Sequence, residues 1–280
     1  MPEGDTIHRI AGLLAPRLVG TSLERVTTQG LVRDLSGRTV TSVAAHGKHL
    51  VIELSDGTYL RAHLGMYGRQ RSYDRTAGDA MIAKLSPGRV SLAITTAATV
   101  DLWIGARTIE ISHRRAPLHG HAIASLGDDV LGDGFDPDAS ATRAATHGRR
   151  TIADVLLDQR IAAGIGNVYK CESLFLCGVD PRRRVDSLDH ATLVELYTTA
   201  RELMIVNLGP GRRATRDRLA GDASSRDRYF VYSCSGQPCR RCKSPVEAYQ
   251  LGDPPRWTWS CARCQPRGTE TGDGSQRTPT

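Results

Sequence analysis

Apolar residues near the start of the chain recur with the spacing of a helix. Within residues 5–19 they fall three or four positions apart, and this period predicts an amphipathic helix that packs one face on a core. Asp5 is suited to cap its beginning and Gly20 to end it, whereas Pro16 is expected to kink or shorten the last turn. Four side chains form the predicted apolar face: Ile7, Ile10, Leu14 and Leu18.

From about residue 21 to residue 112 the pattern changes to short runs in which apolar and polar residues alternate. One hairpin is clear, because residues 49–54 alternate, Ser55-Asp56-Gly57 supplies a turn, and residues 58–64 return. Many short strands behind one leading helix predict a β-sandwich or a barrel. Further strands are predicted at 39–45, 89–96, 99–104 and 107–112.

A stretch rich in Gly, Asp and Pro at residues 127–138 is typical of a linker or domain boundary. The pattern beyond it is helical, and residues 229–264 return to hairpins around several cysteines. The tail, residues 267–280, cannot build a core and is predicted to be disordered. Helices are predicted at 139–146, 151–163, 167–177, 187–207 and 213–219.

Four of the seven cysteines form two Cys-x-x-Cys pairs separated by 18 residues. This spacing is typical of a four-cysteine zinc site in which a β-hairpin brings the two pairs together. Four thiolates fill the coordination shell of the ion, so the sequence predicts one structural Zn²⁺ and places the catalytic chemistry elsewhere. The predicted ligands are Cys239, Cys242, Cys261 and Cys264.

The chain has 37 basic and 30 acidic residues among 280, a formal net charge of +7. A basic excess suits a polyanionic partner such as nucleic acid. The first ten residues carry charges where a secretory signal peptide needs an apolar run. No apolar run approaches the roughly 20 residues of a membrane span. The sequence therefore predicts a cytoplasmic protein that does not engage a membrane.

The second residue of the chain offers unusual chemistry. Proline after the initiator methionine is small enough for Met1 to be removed, and removal would expose the secondary amine of Pro2. An α-amino group has a pKa of about 7.7–8.0, so part of it is unprotonated at neutral pH and can attack an aldehydic carbon to form an iminium. Glu3 stands beside it as a candidate for proton transfer. On these residues alone, a solvated terminus is the simpler interpretation.

Five sequence motifs occur in a fixed order: PEGDTIHR, GKHLVIEL, HLGMYG, LLDQRIAAGIGNVYKCESLF and the C-terminal cysteine finger. Over residues 1 to about 265 this order resembles the formamidopyrimidine-DNA glycosylase/endonuclease VIII family. The Glu3-Gly4-Asp5 segment after the proline, with the region after the first cysteine pair of the finger, is similar to the endonuclease VIII branch.

The resemblance implies an α+β multidomain fold with DNA bound between its parts. The expected units are an N-terminal antiparallel β-sandwich with a leading helix, a helix-two-turn-helix domain, a zinc-finger hairpin and a disordered tail. Their expected boundaries are 1–136, 137–228, 229–266 and 267–280.

The same resemblance implies catalytic roles for Pro2, Glu3, Lys48 and Arg256. Pro2 would attack C1′ of a damaged nucleotide, expel the base and leave an iminium, while Glu3 would act as general acid. Iminium formation acidifies the C2′ proton, so β-elimination and then δ-elimination could follow. Lys48 would assist from near the target phosphate, and Arg256 would grip flanking phosphates with its fork of donors. The alternatives are a solvated strand-edge lysine and an exposed hairpin arginine.

Four further residues are expected at the DNA. Asn167 would contact DNA beside the lesion and cap the helix that follows Gly166, whose N–H groups would then face a phosphate. Met66, with Tyr67, would fill the space that the flipped nucleotide leaves. His63 is expected to face DNA, although a structural histidine fits the sequence nearly as well.

The implied function is a bifunctional glycosylase and abasic-site lyase of base excision repair that acts as a monomer on double-stranded DNA. Oxidised pyrimidines are favoured over purines, but Ser125 lies where an endonuclease VIII arginine is expected, and Gly65 replaces a polar wedge residue. An enzyme that prefers 8-oxoguanine and a catalytically silent DNA-binding protein of the same fold stay open. A zinc-ribbon protein associated with RNA would leave the first 230 residues unexplained.

Overall fold

The structure is a computed structural model that describes residues 1–113, 121–217 and 224–267. The first helix, α1 (Gly4–Leu18), buries the predicted apolar positions Ile7, Leu14 and Leu18 and continues past Pro16. Ile10 is only partly buried against the same core. The predicted disordered tail lies outside the described residues from residue 268 onward.

Two antiparallel sheets follow α1 and share one hydrophobic core with it. One sheet has the order β2-β1-β7-β8-β6 and the other the order β3-β4-β5-β9. The predicted hairpin is present, with Leu50 opposite Ala62 and Ile52 opposite Leu60, and all four side chains are buried. This arrangement confirms the predicted β-sandwich. The strands are β1 (Arg25–Thr28), β2 (Leu31–Arg33), β3 (Val40–His46), β4 (His49–Leu54), β5 (Thr58–His63), β6 (Arg69–Asp74), β7 (Val90–Thr95), β8 (Thr99–Ile104) and β9 (Thr108–His113).

Four elements of the sandwich were not predicted: the strands β1, β2 and β6 and the helix α2 (Arg75–Lys84). The strands β2 and β6 are the edges of their sheet and are mostly exposed, and β1 and α2 carry many polar residues. Short exposed or polar elements of this kind lack a strong apolar period, because only a few of their side chains enter a core. Asp74 caps α2 by accepting a hydrogen bond from the Ala77 N–H group.

A helical region follows the sandwich and has its own core. After the short helix α3, the chain forms β10 (Asp128–Asp129), which pairs in parallel with β11 (Ala162–Ala163). The helix predicted at 151–163 is wrong in its second half, because α5 ends at Leu157 and the chain turns at Asp158, which pairs with Arg150 and Arg160. The helices are α3 (His121–Ala124), α4 (Pro137–Ala145), α5 (Ile152–Leu157), α6 (Asn167–Leu176) and α7 (His190–Ile205).

The chain after α7 does not form the helix predicted at 213–219 over the residues that are described, 213–217. It runs back instead toward the N-terminus of the chain. The finger hairpin follows, with β12 (Glu247–Leu251) antiparallel to β13 (Arg256–Ser260). In the described ranges, no helix is long and apolar enough to cross a membrane.

Candidate active site

The carboxylate of Glu3 is fully buried at the beginning of α6. One carboxylate oxygen accepts a hydrogen bond from the Val168 N–H group at 2.9 Å. The other accepts from the Gly166 and Tyr169 N–H groups at 3.1 and 3.4 Å. The first N–H groups of a helix are not used inside it and favour a negative charge. The sandwich and the helical region are therefore joined through Glu3, beside Pro2.

This contact explains the glycine at position 166. A Cβ atom on Gly166 would lie 2.3 Å from Cδ of Glu3, which no real contact allows. Nearby, the Gly4 N–H group donates to the Gly164 carbonyl at 3.0 Å. The two glycines of the Gly-Ile-Gly turn therefore leave the space that the N-terminal segment of the chain occupies.

Two predictions about this turn need correction. Gly166, not Asn167, occupies the N-cap of α6, and no side chain caps it. The N–H groups expected to face a phosphate are occupied by Glu3, which reaches them from inside the protein. Asn167 instead donates through Nδ2 to the Trp257 carbonyl at 2.8 Å, so it links α6 to the finger hairpin. Its Oδ1 atom is buried without a hydrogen-bond partner among the described residues.

Arg213 lies next to Glu3 and was not predicted as a site residue. Its guanidinium binds both carboxylate oxygens of Asp5, one of them at 2.9 Å, and lies 3.8 Å from Oε1 of Glu3. It also donates to the Met1 carbonyl at 3.0 Å and stacks over the Tyr169 ring. The sequence contained no signal for it, since one arginine among many in an aperiodic segment resembles the others.

Gly47 and Lys48 form the turn between β3 and β4, and this turn packs on the helical region. A Cβ atom on Gly47 would lie 2.7 Å from the Ala163 Cβ atom, and Gly47 has φ of +55°. The Gly47 N–H group donates to Asp129 at 2.8 Å, and the same carboxylate oxygen lies 2.8 Å from His8 Nε2. Asp129 and His8 therefore hold the turn that carries Lys48, and neither was predicted.

Several charges act on the buried amine of Lys48, a residue that is partly exposed as a whole. Burial lowers the pKa of Lys48 to about 8, the Glu3 carboxylate raises it in part, and the Arg256 and Arg213 guanidiniums lower it further. Glu3, Arg213 and Arg256 thus act electrostatically on Lys48, and these four residues are called the charged cluster; Arg256 belongs to the finger hairpin, far along the chain. A lysine with a pKa near neutrality can both carry charge and exchange a proton.

The remaining predicted DNA contacts lie on the sandwich. Burial lowers the pKa of His63 to about 4, and the charge of Lys48 contributes, so the His63 ring is neutral at physiological pH. Met66 is 45% exposed and Tyr67 is 82% exposed in the loop after β5. Exposed large apolar side chains of this kind are suited to insertion between bases.

The four cysteines of the finger lie together, and all their sulfur atoms are within 4.8 Å of one another. Cys239 and Cys261 are buried, and Cys242 and Cys264 are partly exposed. Such a group of sulfur donors is a candidate metal site. Two of the other cysteines, Cys171 and Cys234, are buried with the finger residues in one hydrophobic cluster.

A second buried carboxylate lies farther along α6. Glu172 accepts hydrogen bonds from the N–H groups of Phe230, Val231 and Tyr232 at 2.8–2.9 Å, and from the Thr215 hydroxyl. Burial raises the pKa of Glu172 despite these bonds. Glu172 therefore fixes the segment that leads into the finger, and it was not predicted.

The fold and the site together define a β-sandwich protein with a helical region and a four-cysteine finger, and with a charged cluster where these parts meet. Two family models match: the formamidopyrimidine-DNA glycosylase N-terminal domain over residues 1–103 and the formamidopyrimidine-DNA glycosylase H2TH domain over residues 126–218.

Curated relatives match along nearly the whole chain. A DNA-(apurinic or apyrimidinic site) lyase Nei2 of Mycolicibacterium smegmatis is 32% identical over 95% of this chain and 99% of its own length. An endonuclease 8 2 of Mycobacterium tuberculosis is 35% identical over 95% of this chain and all of its own length.

A solved structure of Lactococcus lactis formamidopyrimidine-DNA glycosylase, bound to DNA with an abasic site, has a TM-score of 0.75. It is 21% identical to this chain, and the match covers 95% of this chain and 100% of the other. The chain therefore belongs to the formamidopyrimidine-DNA glycosylase/endonuclease VIII family of DNA glycosylases and abasic-site lyases. The family, the fold class and the enzyme class expected from the sequence are confirmed.

Proposed function

We propose that this protein removes oxidised bases from double-stranded DNA and cleaves the abasic strand, with Pro2 as the nucleophile. The observation that carries the proposal is the buried Glu3 carboxylate at the start of α6, held beside Pro2, Lys48 and Arg213. An amine, an acid and two cations in one place provide what iminium formation and elimination need.

The nucleophile would be the secondary amine freed by removal of Met1. Burial and the Arg213 guanidinium hold the pKa of the present terminal amine below its ordinary value. The Pro2 amine, one residue away, would be exposed to the same surroundings. A lowered pKa increases the unprotonated fraction that can attack C1′.

The other residues of the cluster would act on the proton and charge movements that follow. Glu3 would pass a proton to the departing group. The iminium would then acidify the C2′ proton, and its loss breaks the bond to the 3′ phosphate. Lys48 and Arg256 would stabilise the negative charge on that phosphate.

DNA would lie across the sandwich, the start of α6 and the finger hairpin. Arg256 and Asn167 would contact the strand near the lesion, while Met66 and Tyr67 would fill the vacated space. His63, neutral at physiological pH, would contribute a hydrogen bond and no charge. The solved complexes of similar fold contain DNA with an abasic site. A single chain supplies the whole cluster, so we propose that the protein acts as a monomer.

We further propose that the four cysteines bind one structural Zn²⁺. The donor set fits, because Cys239, Cys242, Cys261 and Cys264 offer four sulfur atoms from two knuckles and Zn²⁺ prefers a tetrahedron of thiolates. Four thiolates would leave no open position, so the ion would serve to order the hairpin that carries Arg256. Its expected stoichiometry is one zinc per chain by metal analysis.

The test of the nucleophile uses DNA with one abasic site and sodium borohydride, which reduces an iminium to a stable adduct. The native protein is expected to be trapped, and Pro2→Gly, whose terminal amine is primary and no longer held in a ring, is expected to be trapped far more slowly while it still binds the DNA. Cys242→Ala serves as a comparison. It removes one proposed zinc ligand and is expected to weaken DNA contact through the finger, while the Pro2 amine stays intact. Absence of any adduct with the native protein would overturn the proposal.

We propose oxidised pyrimidines as preferred substrates because the relatives at 32–35% identity carry endonuclease 8 or Nei2 names. Single-turnover excision from duplexes with thymine glycol and with 8-oxoguanine compares the two classes. Faster release of thymine glycol supports the proposal, and faster release of 8-oxoguanine reverses the preference.

A further inference from the structure

Met1 marks the place where a substrate atom would be attached. Its carbonyl carbon is bonded to the Pro2 nitrogen, and its carbonyl oxygen accepts a hydrogen bond from Arg213 Nη1 at 3.0 Å. The amide nitrogen of Pro2 is planar, and an iminium nitrogen is planar as well. The carbon that replaces Met1 on this nitrogen would therefore take the same direction from the pyrrolidine ring.

In the reaction proposed above, that carbon is C1′ of the deoxyribose. The Met1 carbonyl oxygen then stands where the oxygen on C1′ would lie while the new bond forms. A guanidinium nitrogen already donates to that position. The Met1–Pro2 peptide thus shares one feature with the addition step: an oxygen on the carbon that is bonded to the Pro2 nitrogen, with the Arg213 guanidinium donating a hydrogen bond to that oxygen.

We propose that Arg213 is a further catalytic residue, which donates a hydrogen bond to the oxygen on C1′ as Pro2 attacks. This inference rests on the proposed role of Pro2. It assigns the stabilisation of the developing oxyanion to Arg213, a residue of the segment after α7, and leaves proton transfer to Glu3.

The step begins with the aldehyde form of an abasic site. The lone pair of the neutral Pro2 amine forms the N–C1′ bond, and the C=O π electrons move to the oxygen, where Arg213 stabilises them. The amine proton moves to this oxygen and gives a carbinolamine. One further proton, delivered through Glu3, lets the oxygen leave as water, and the nitrogen lone pair completes the iminium.

Arg213 is held firmly enough for this task. Its side chain is 10% exposed, Asp5 binds it through both oxygens, and the Thr6 hydroxyl accepts from Nη2 at 2.8 Å. Although burial lowers it, the Glu3 and Asp5 carboxylates raise the pKa of Arg213 above its ordinary value. The group therefore keeps its charge and donates a hydrogen bond without losing a proton. A fixed charged donor at a developing oxyanion is among the strongest catalytic devices.

The test measures the rate of borohydride-trapped adduct with excess protein and a duplex that contains one abasic site. Arg213→Met is expected to slow adduct formation by about 100-fold, and Arg213→Lys, which keeps a charge without the fork, by about tenfold. Arg212→Met is the matched control, because Arg212 is the exposed neighbouring arginine. It is expected to be trapped at the native rate when the DNA is saturated.

Two further readouts separate catalysis from a structural role. Affinity for a duplex with a tetrahydrofuran abasic analogue, which has no reactive C1′, is expected to be unchanged in Arg213→Met. The trapping rate falls at low pH, where the amine is protonated, and this fall is expected to occur at higher pH in Arg213→Met. The reason is that the guanidinium that lowers the pKa of the Met1 amine, and would act in the same way on the Pro2 amine, is gone.

The outcomes are distinct. Slow trapping with native affinity for the analogue supports the assignment. Native trapping rates in both Arg213 variants overturn it and leave the role of Pro2 intact. Equal losses of analogue binding and trapping in both variants also overturn it, because they show a structural role only. If the native protein itself is not trapped, the proposed role of Pro2 fails, and this inference fails with it.

Discussion

Glu3 and Glu172 are two buried carboxylates with nearly the same backbone environment and different surroundings. Each is fully buried, and each accepts hydrogen bonds from three N–H groups of a distant segment. The Glu3 carboxylate lies 3.8 Å from the Arg213 guanidinium, and its charge raises the pKa of Lys48. Glu172 has a threonine hydroxyl instead, and among the residues with described coordinates no basic side chain forms an ion pair with it.

Backbone N–H groups fix the position of either side chain and join two parts of the chain, so burial and hydrogen bonds alone do not distinguish the two. What distinguishes Glu3 is the neighbouring cations, and under the proposed function these are the surroundings in which a carboxylate would exchange a proton with a substrate. Glu172 faces the hydrophobic entry to the finger, where its task is to hold residues 230–232 in place.

The largest expected effect is on activity at Glu3. Glu3→Gln removes the proposed proton-transfer group, and the rate of base excision by the folded protein is expected to fall about 1000-fold. Single-turnover kinetics on a damaged duplex measure this rate. A variant that keeps more than a tenth of native activity would place the proton transfer elsewhere.

Glu172→Gln is the matched change at the other carboxylate. An amide cannot satisfy three N–H groups as a carboxylate does, so the free energy of unfolding is expected to fall by about 3 kcal/mol. Denaturant titration measures the loss, and activity per folded molecule is expected to stay within about threefold of native. A stable variant with a 1000-fold lower rate would remove the distinction between the two carboxylates.

The sequence allowed much of this fold to be predicted, for reasons visible in particular segments. The hairpin at 49–64 and the helix α1 have clear apolar periods, and the cysteine spacing by itself identifies the finger. Arg213, Asp129 and Glu172 act through contacts across 208, 82 and about 60 residues. No local pattern reports such contacts, so only the folded chain reveals them.

Lys48, whose pKa responds to the Glu3 carboxylate, makes the reaction depend on pH. Its pKa of about 8 means that the amine loses its charge as pH rises through 8, well below the ordinary lysine range. The cation-assisted elimination rate, followed as kcat/KM, is therefore expected to fall above pH 8. In Lys48→Arg the falling limb is expected to disappear, because a guanidinium stays charged. If kcat/KM still falls above pH 8 in Lys48→Arg, the fall is caused by another titrating group.

The smallest expected effect is at the hydroxyl beside Glu172. Thr215→Val keeps the shape and removes the donor, so stability is expected to fall by about 1 kcal/mol. Thermal unfolding measures it, with Thr99→Val on the sandwich as a control for removal of a threonine hydroxyl away from Glu172. No loss relative to that control would show that the backbone N–H groups alone hold the carboxylate.

Two amines are candidates for the nucleophile: that of Pro2, beside Glu3, and that of Lys48, whose pKa is lowered. Peptide mass spectrometry of the borohydride-trapped complex decides between them. The reduced sugar is predicted on the nitrogen of an N-terminal peptide that begins at Pro2, without Met1. A sugar on the Lys48 peptide, or a trapped chain that retains Met1, would contradict the proposed role of Pro2 as the nucleophile.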